Sequence, residues 1–154
     1  VDEIVNELGT DFDMVGVAIG GVNVSQLLLT VLREKYNIEP RFGVIDITLY
    51  RDDLYTGLER PALGVTDIPF RVDARPIVLI DDVIYTGRTL RASIEAVMYS
   101  GRPKSISLLC LIDRGHRELP ISPKFVGKNI PTNQDEYVSV FLKEIDSEDK
   151  VEVT

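Results

Sequence analysis

Apolar and polar positions along the chain change period several times, and the changes mark the elements. The clearest lies at residues 77–101, where Ile77, Val78, Leu79 and Ile80 stop at two adjacent carboxylates, Asp81 and Asp82. This pattern predicts a buried strand with polar residues at its C-terminal end. A turn containing Thr86, Gly87, Arg88 and Thr89 follows, and the period then becomes helical. Leu90, Ile94, Val97 and Met98 fall on one face, Arg91 and Glu95 form an i,i+4 pair outside, and Gly101 sits at the expected helix C-cap.

The same switch occurs earlier. Residues 2–8 read as the end of a helix, 9–13 as a turn and 14–19 as a short buried strand. After Gly20 and Gly21, the residues Val24, Leu27, Leu28, Val31, Leu32 and Lys35 mark one face of a helix running to about Tyr36. Two strand–loop–helix units favour a parallel sheet. Residues 43–50 alternate as a strand with one polar side, ending at Arg51, Asp52 and Asp53. The next stretch, to residue 76, has little periodicity and is long enough to be functional. Further strands are predicted at 105–112, 124–128 and 137–142, with 151–153 extending the sheet.

Local chemistry follows from the loop at 86–89. A glycine permits the tight turn, the first amides of the helix lack intrahelical acceptors, and two threonine hydroxyls add donors, so an anion such as phosphate is stabilised there. Adjacent carboxylates would repel a bare phosphate. Asp81 and Asp82 therefore fit sugar hydroxyls or a divalent metal, and the combination suggests a sugar phosphate.

Composition sets bounds. A chain of 154 residues with 44% hydrophobic and 27% charged residues suits one globular domain, residues 1–154. No apolar run approaches the roughly 20 residues that span a bilayer. The single cysteine, Cys110, lies in an apolar run and reads as a core thiol of a cytoplasmic protein. Net charge is −8, which disfavours non-specific nucleic-acid binding, yet residues 102–128 hold six Lys or Arg against two acids. That stretch reads equally as solvated surface or as a phosphate-facing patch.

Residues 77–89 resemble the signature of type I phosphoribosyltransferases for 5-phosphoribosyl diphosphate (PRPP). Asp46-Ile-Thr-Leu-Tyr-Arg-Asp-Asp53, Val83-Ile-Tyr-Thr-Gly-Arg-Thr89, Asp113-Arg-Gly-His-Arg-Glu-Leu-Pro-Ile121 and Val126-Gly-Lys-Asn-Ile-Pro-Thr132 are similar to the bacterial family of pyrimidine operon regulators that are also uracil phosphoribosyltransferases. The resemblance implies an α/β fold with a mostly parallel central sheet flanked by helices, and a small hood over residues 51–76. It also implies further helix before Val1. The implied reaction joins uracil to PRPP with Mg²⁺, giving UMP and diphosphate. The implied second role is UMP-dependent binding to the leader mRNA of pyrimidine operons, in a homodimer or higher homo-oligomer.

By the same resemblance, Asp81 and Asp82 hold the ribose hydroxyls, and Val83, Tyr85, Thr86, Gly87, Arg88 and Thr89 bind PRPP or UMP. Arg51 is a candidate for the diphosphate, with an ion pair to Asp52 or Asp53 as its alternative. Val126, Gly127, Lys128 and Asn129 form the nucleobase wall. His116, Arg117, Lys124 and Lys128 are candidates for RNA. Two departures stand out. The family carries a basic residue, a threonine and an arginine in its first loop, where this chain reads Ile19-Gly20-Gly21, and Ser122 replaces an arginine. Either the diphosphate loop is lost, leaving a nucleotide-sensing RNA-binding regulator with little catalysis, or residues are absent from the recorded loop. A response-regulator receiver also places acids after a strand, but its acidic pair comes near the chain start, so that reading is set aside.

Overall fold

The strand at the centre is apolar on both faces, which only a sheet covered on both sides accommodates. In the computed structural model, which describes residues 1–47 and 66–154, this strand is β3 (Pro76–Ile84). The preceding elements are α1 (Asp2–Leu8), β1 (Asp13–Val17), α2 (Gly20–Tyr36) and β2 (Phe42–Ile45). After β3 come α3 (Arg88–Tyr99), β4 (Ser105–Asp113), β5 (Phe125–Asn129), β6 (Val138–Phe141), α4 (Lys143–Asp146) and β7 (Lys150–Val153). The main sheet has the order β2-β1-β3-β4-β5 and is parallel throughout.

Alternation along β3 divides the core. Ile77 and Leu79 pack with Leu90, Ala96 and Val97 of α3 on one face. Val78 and Ile80 pack with Ile4 of α1 and Val24 and Leu32 of α2 on the other. Burying each such side chain contributes about 1.5–3 kcal/mol. The α3 stripe is narrower than expected: Leu90 and Val97 are buried, whereas Met98 is 60% exposed. The helix is capped by Ser100, with Gly101 one residue beyond at φ 151°. Val31, expected on the inner face of α2, is at its rim, 40% exposed.

Two further expectations change. Among the described residues β2 is paired over Phe42–Ile45, and Ile45 and Ile47, on the apolar side of the alternation, are buried. Residues 48–65 lie outside the described residues. The C-terminal part of the expected hood belongs to the body of the protein: Asp67 bridges Val44, and Val72 is fully buried. β6 and β7 do not extend the main sheet but pair antiparallel with each other. Both are half exposed, so they suit a two-stranded ribbon rather than a strand covered on both faces.

Candidate functional site

The site is built where β3 loses one neighbour and keeps the other. Pairing with β1 ends at Gly16 opposite Ile80, whereas pairing with β4 continues to Ile84 opposite Asp113. The two carboxylates therefore lie inside the strand rather than beyond its end, because β4 still holds the backbone there. The start of α2 lies against this segment. A Cβ on Gly21 would come within 2.2 Å of the Ile80 carbonyl oxygen, and one on Gly20 within 2.2 Å of the Asp82 carboxylate. Gly21 is required by this approach to backbone, whereas a side chain at Gly20 would displace the Asp82 carboxylate. No loop separates β1 from the carboxylates: after Ala18 and Ile19, α2 begins at Gly20.

Asp81 is 7% exposed and Asp82 is half-buried. The Asp81 carboxylate accepts the Asp82 amide at 3.0 Å, and the Asp82 carboxylate accepts the Val83 amide at 2.8 Å. Beyond Tyr85 the chain turns at Gly87, whose φ of 91° favours glycine, and α3 begins. The Thr86 hydroxyl accepts the Arg88 amide at 3.3 Å, so it sits over the first turn. The Arg88 guanidinium donates to the Glu118 carboxylate at 2.7 Å. The Thr86 carbonyl accepts the amides of Glu118 at 2.9 Å and Leu119 at 3.3 Å, which fixes the loop to the segment after β4. The loop itself remains a positive helix terminus with donors facing a cavity.

That cavity, about 580 Å³, is lined by Asp81 and the whole of residues 83–90. The structure thus brings together Asp81, Val83, Tyr85, Thr86, Gly87, Arg88 and Thr89, and Asp82 lies alongside. Arg51 is outside the described residues. The far wall is formed by Gln134, Glu136 and Tyr137, with Arg114 and Glu118 between.

Val126, Gly127, Lys128 and Asn129 are not among the lining residues. They form β5, whose Val126 and Gly127 face a separate cavity under α1 with Ile4, Leu28 and Phe125. Lys128 is exposed, and Asn129 lines a neighbouring cavity with His116, Arg117 and Thr132. The main sheet brings β5 beside β4, not over the phosphate loop. Gln134 and Glu136 had no signal in the sequence, since residues 133–136 carry neither period nor motif, and Tyr137 was visible only as the first residue of the strand predicted at 137–142. Arg114 was visible as a residue at a strand's C-terminal end and within the motif Asp113–Ile121, with no role attached.

The four RNA candidates do not form one patch. Lys124 stands before β5 and is ion-paired to Glu7 at 2.6 Å. Lys128 is four residues along the strand, about 13 Å away. The His116 ring hydrogen-bonds with the Thr132 carbonyl at 2.5 Å and meets the Tyr85 ring edge-on. Arg117 donates to the Tyr85 carbonyl at 2.8 Å, to the Ile121 carbonyl at 3.1 Å and to the Asp113 carboxylate. Its guanidinium braces the site from behind.

Of the groups whose titration is shifted at other positions, two are buried in the sheet. Burial pushes the carboxyl of Asp13 up, but hydrogen bonds from Arg41 and Arg75 outweigh this and hold it below the usual carboxylate range. Burial, helped by the charge of Asp113, pushes the Cys110 thiol up to about 12, which leaves it an inert core thiol. Among the described residues no cluster of three or more His, Cys, Asp or Glu could hold a metal ion. The chain offers two adjacent carboxylates, which fits Mg²⁺ carried largely by substrate phosphates rather than an all-protein cage.

Residues 3–145 match the phosphoribosyl transferase domain family. The chain is 48% identical over 144 residues to the bifunctional protein PyrR of Thermoanaerobacter sp. (strain X514), covering 94% of this chain and 81% of that protein. It is 50% identical over 138 residues to the bifunctional protein PyrR of Pelotomaculum thermopropionicum, covering 90% of this chain and 76% of that one. Among solved structures, the hypoxanthine phosphoribosyltransferase of Trypanosoma cruzi shares the fold, with a TM-score of 0.64 at 18% identity over 89% of this chain and 72% of that chain.

Proposed function

The chain belongs to the phosphoribosyl transferase domain family and, within it, to the PyrR proteins, and from this premise we propose that it transfers a 5-phosphoribosyl group from PRPP to uracil, releasing diphosphate and forming UMP. One observation carries the reading: a buried Asp81 beside Asp82 opens into the same cavity as the threonine-bearing N-terminus of α3. The first turn of α3 and the hydroxyls of Thr86 and Thr89 hold the 5-phosphate. Asp81 and Asp82 accept hydrogen bonds from the ribose hydroxyls, which places C1 over the carboxylates. Departure of diphosphate breaks the C1–O bond and leaves an oxocarbenium-like ribose that N1 of uracil captures, the N1 proton passing to the departing diphosphate or to solvent. The paired carboxylates stabilise that developing positive charge, and no side-chain nucleophile is needed. Asp81 and Asp82 are the residues that would lie nearest a Mg²⁺ ion brought in with PRPP, and its charge would offset that of the leaving diphosphate. The flanking wall of Gln134, Glu136 and Tyr137 faces the base.

The second role is binding of pyrimidine leader mRNA in response to UMP, by a homodimer or higher homo-oligomer in the cytoplasm. Support comes from the bifunctional relatives and the basic stretch 102–128. The join at Ile19 and Gly20 carries no basic side chain for the diphosphate, so a regulator with little turnover is the alternative that the assay must separate from the transferase. Incubating isotope-labelled uracil with PRPP and Mg²⁺ is expected to yield labelled UMP; no product overturns the transferase reading. Filter binding to a leader RNA with and without UMP tests the second role, and sequence-blind binding that ignores UMP refutes it.

A further inference from the structure

Arg114 follows β4 directly and is only 5% exposed, so its charge must be answered inside the protein. Its guanidinium lies over the Tyr85 ring, 4.1 Å from the centroid, in cation–π geometry. Its edges point the other way: Nε donates to the Thr132 hydroxyl at 3.0 Å and Nη2 to the Asn133 carbonyl at 2.9 Å. The Thr132 hydroxyl returns a bond to the Arg114 carbonyl at 3.3 Å. Tyr85 opens the phosphate loop, and Thr132 and Asn133 open the arm that carries Gln134, Glu136 and Tyr137 along the far wall.

That arm is held at two points. At its far end Tyr137 and Thr154 exchange backbone hydrogen bonds of 2.8 and 3.0 Å. At its near end, the Asn133 amide donates to the Glu136 carboxylate at 2.6 Å, which closes a turn. The Asn133 carbonyl of the same turn is the group that Arg114 grips. A planar fork with one stacking face and two donor edges reaches ring, hydroxyl and carbonyl together, which an ammonium cannot.

We propose that Arg114 is a positioning residue that locks the arm of residues 132–137 to the phosphate loop through Tyr85, and so sets the separation of the two cavity walls. This rests on the transferase reading for its substrates. Binding of a nucleotide that touches both walls then depends on Arg114, although its donors go to protein groups.

The test compares Arg114→Met, Arg114→Lys, Thr132→Val and Thr132→Ser with the wild-type chain by steady-state kinetics and by calorimetric titration with UMP. Arg114→Met is expected to raise the KM for uracil and the Kd for UMP about tenfold, with kcat changed less than about threefold. Arg114→Lys behaves like Arg114→Met, Thr132→Val moves both constants about threefold, and Thr132→Ser restores them. A lower active fraction with unchanged KM and Kd overturns the proposal, as does full rescue by lysine. Should the Arg114 variants fail to fold, the Thr132 pair decides: equal constants for valine and serine overturn it. A wild-type chain that binds UMP without turnover refutes the transferase reading while the Kd values still decide this one; a chain that does neither refutes both.

Discussion

The β1–α2 and β3–α3 units share an architecture and use it differently. In β3–α3 a short loop separates strand from helix, Gly87 turns with positive φ at the N-cap, and the Thr86 hydroxyl accepts the Arg88 amide beside a cavity. In β1–α2 the helix starts almost at once, and its glycines serve close packing: the Ser25 hydroxyl donates to the Gly21 carbonyl at 2.6 Å while Gly21 abuts β3. Their carboxylates also sit at opposite ends. β3 carries Asp81 and Asp82 into the site, whereas β1 begins at Asp13, 1% exposed and bound by Arg41 at 2.7 Å and Arg75 at 2.8 Å. In the proposed reaction the first unit holds ligand, whereas the second holds the sheet.

The strongest test of this division removes the charge from β3. Asp81→Asn or Asp82→Asn is expected to lower kcat/KM about a hundredfold or more, since each carboxylate faces the forming positive charge. Initial rates with PRPP and uracil measure it, and a loss below about threefold for both would place the chemistry elsewhere. The second test attacks the packing unit. Gly21→Ala puts a methyl against the Ile80 carbonyl and is expected to cost about 2 kcal/mol, lowering Tm by roughly 4–8 °C. At Gly87 the added Cβ would meet nothing closer than 3.4 Å, so Gly87→Ala carries mainly the left-handed strain, about 1–2 kcal/mol. Equal melting curves for Gly21→Ala and the wild type would sink the contrast.

Much of the β3–α3 unit was readable in advance because its signals are local. Four apolar residues, two acids and a glycine turn specify strand, site and helix without knowledge of neighbours. The β1–α2 unit was readable as strand and helix, but the meaning of Gly20 and Gly21 was not, since it depends on Asp82 and Ile80 about 60 residues away in a packed parallel sheet. The continuation of β3 past Ile80 escaped for a related reason: it is held by β4, and polar side chains concealed it. The placing of Gln134 and Glu136 was invisible because side chains from an aperiodic arm acquire their place only through its ends, where Arg114 holds Asn133 and Thr154 holds Tyr137.

At the other end of β1, Asp13 provides a pH test of the holding role. Because its folded carboxyl lies below the unfolded value, it contributes stability present above about pH 4 and lost as pH falls through the folded value. Asp13→Asn is expected to cost about 1.5 kcal/mol at neutral pH by leaving two guanidinium bonds weakened, and to flatten the acid-side fall in the urea midpoint. An unchanged acid limb would mean that other carboxylates govern acid unfolding.

The smallest effect probes the bare join directly. Ile19 is 78% exposed immediately before α2, next to the carboxylates through Gly20 and Asp82. If the β1–α2 unit lacks only a cation to assist the diphosphate, Ile19→Lys should supply one without disturbing the core. A single charge at about 4 Å in water is worth on the order of 1 kcal/mol, so the KM for PRPP is expected to fall about threefold and the gain to fade at high salt. Initial rates across a salt series decide it. A KM that stays put at low salt would show that the leaving group lies beyond reach of this join, and that the two units divide their tasks by geometry rather than by one missing charge.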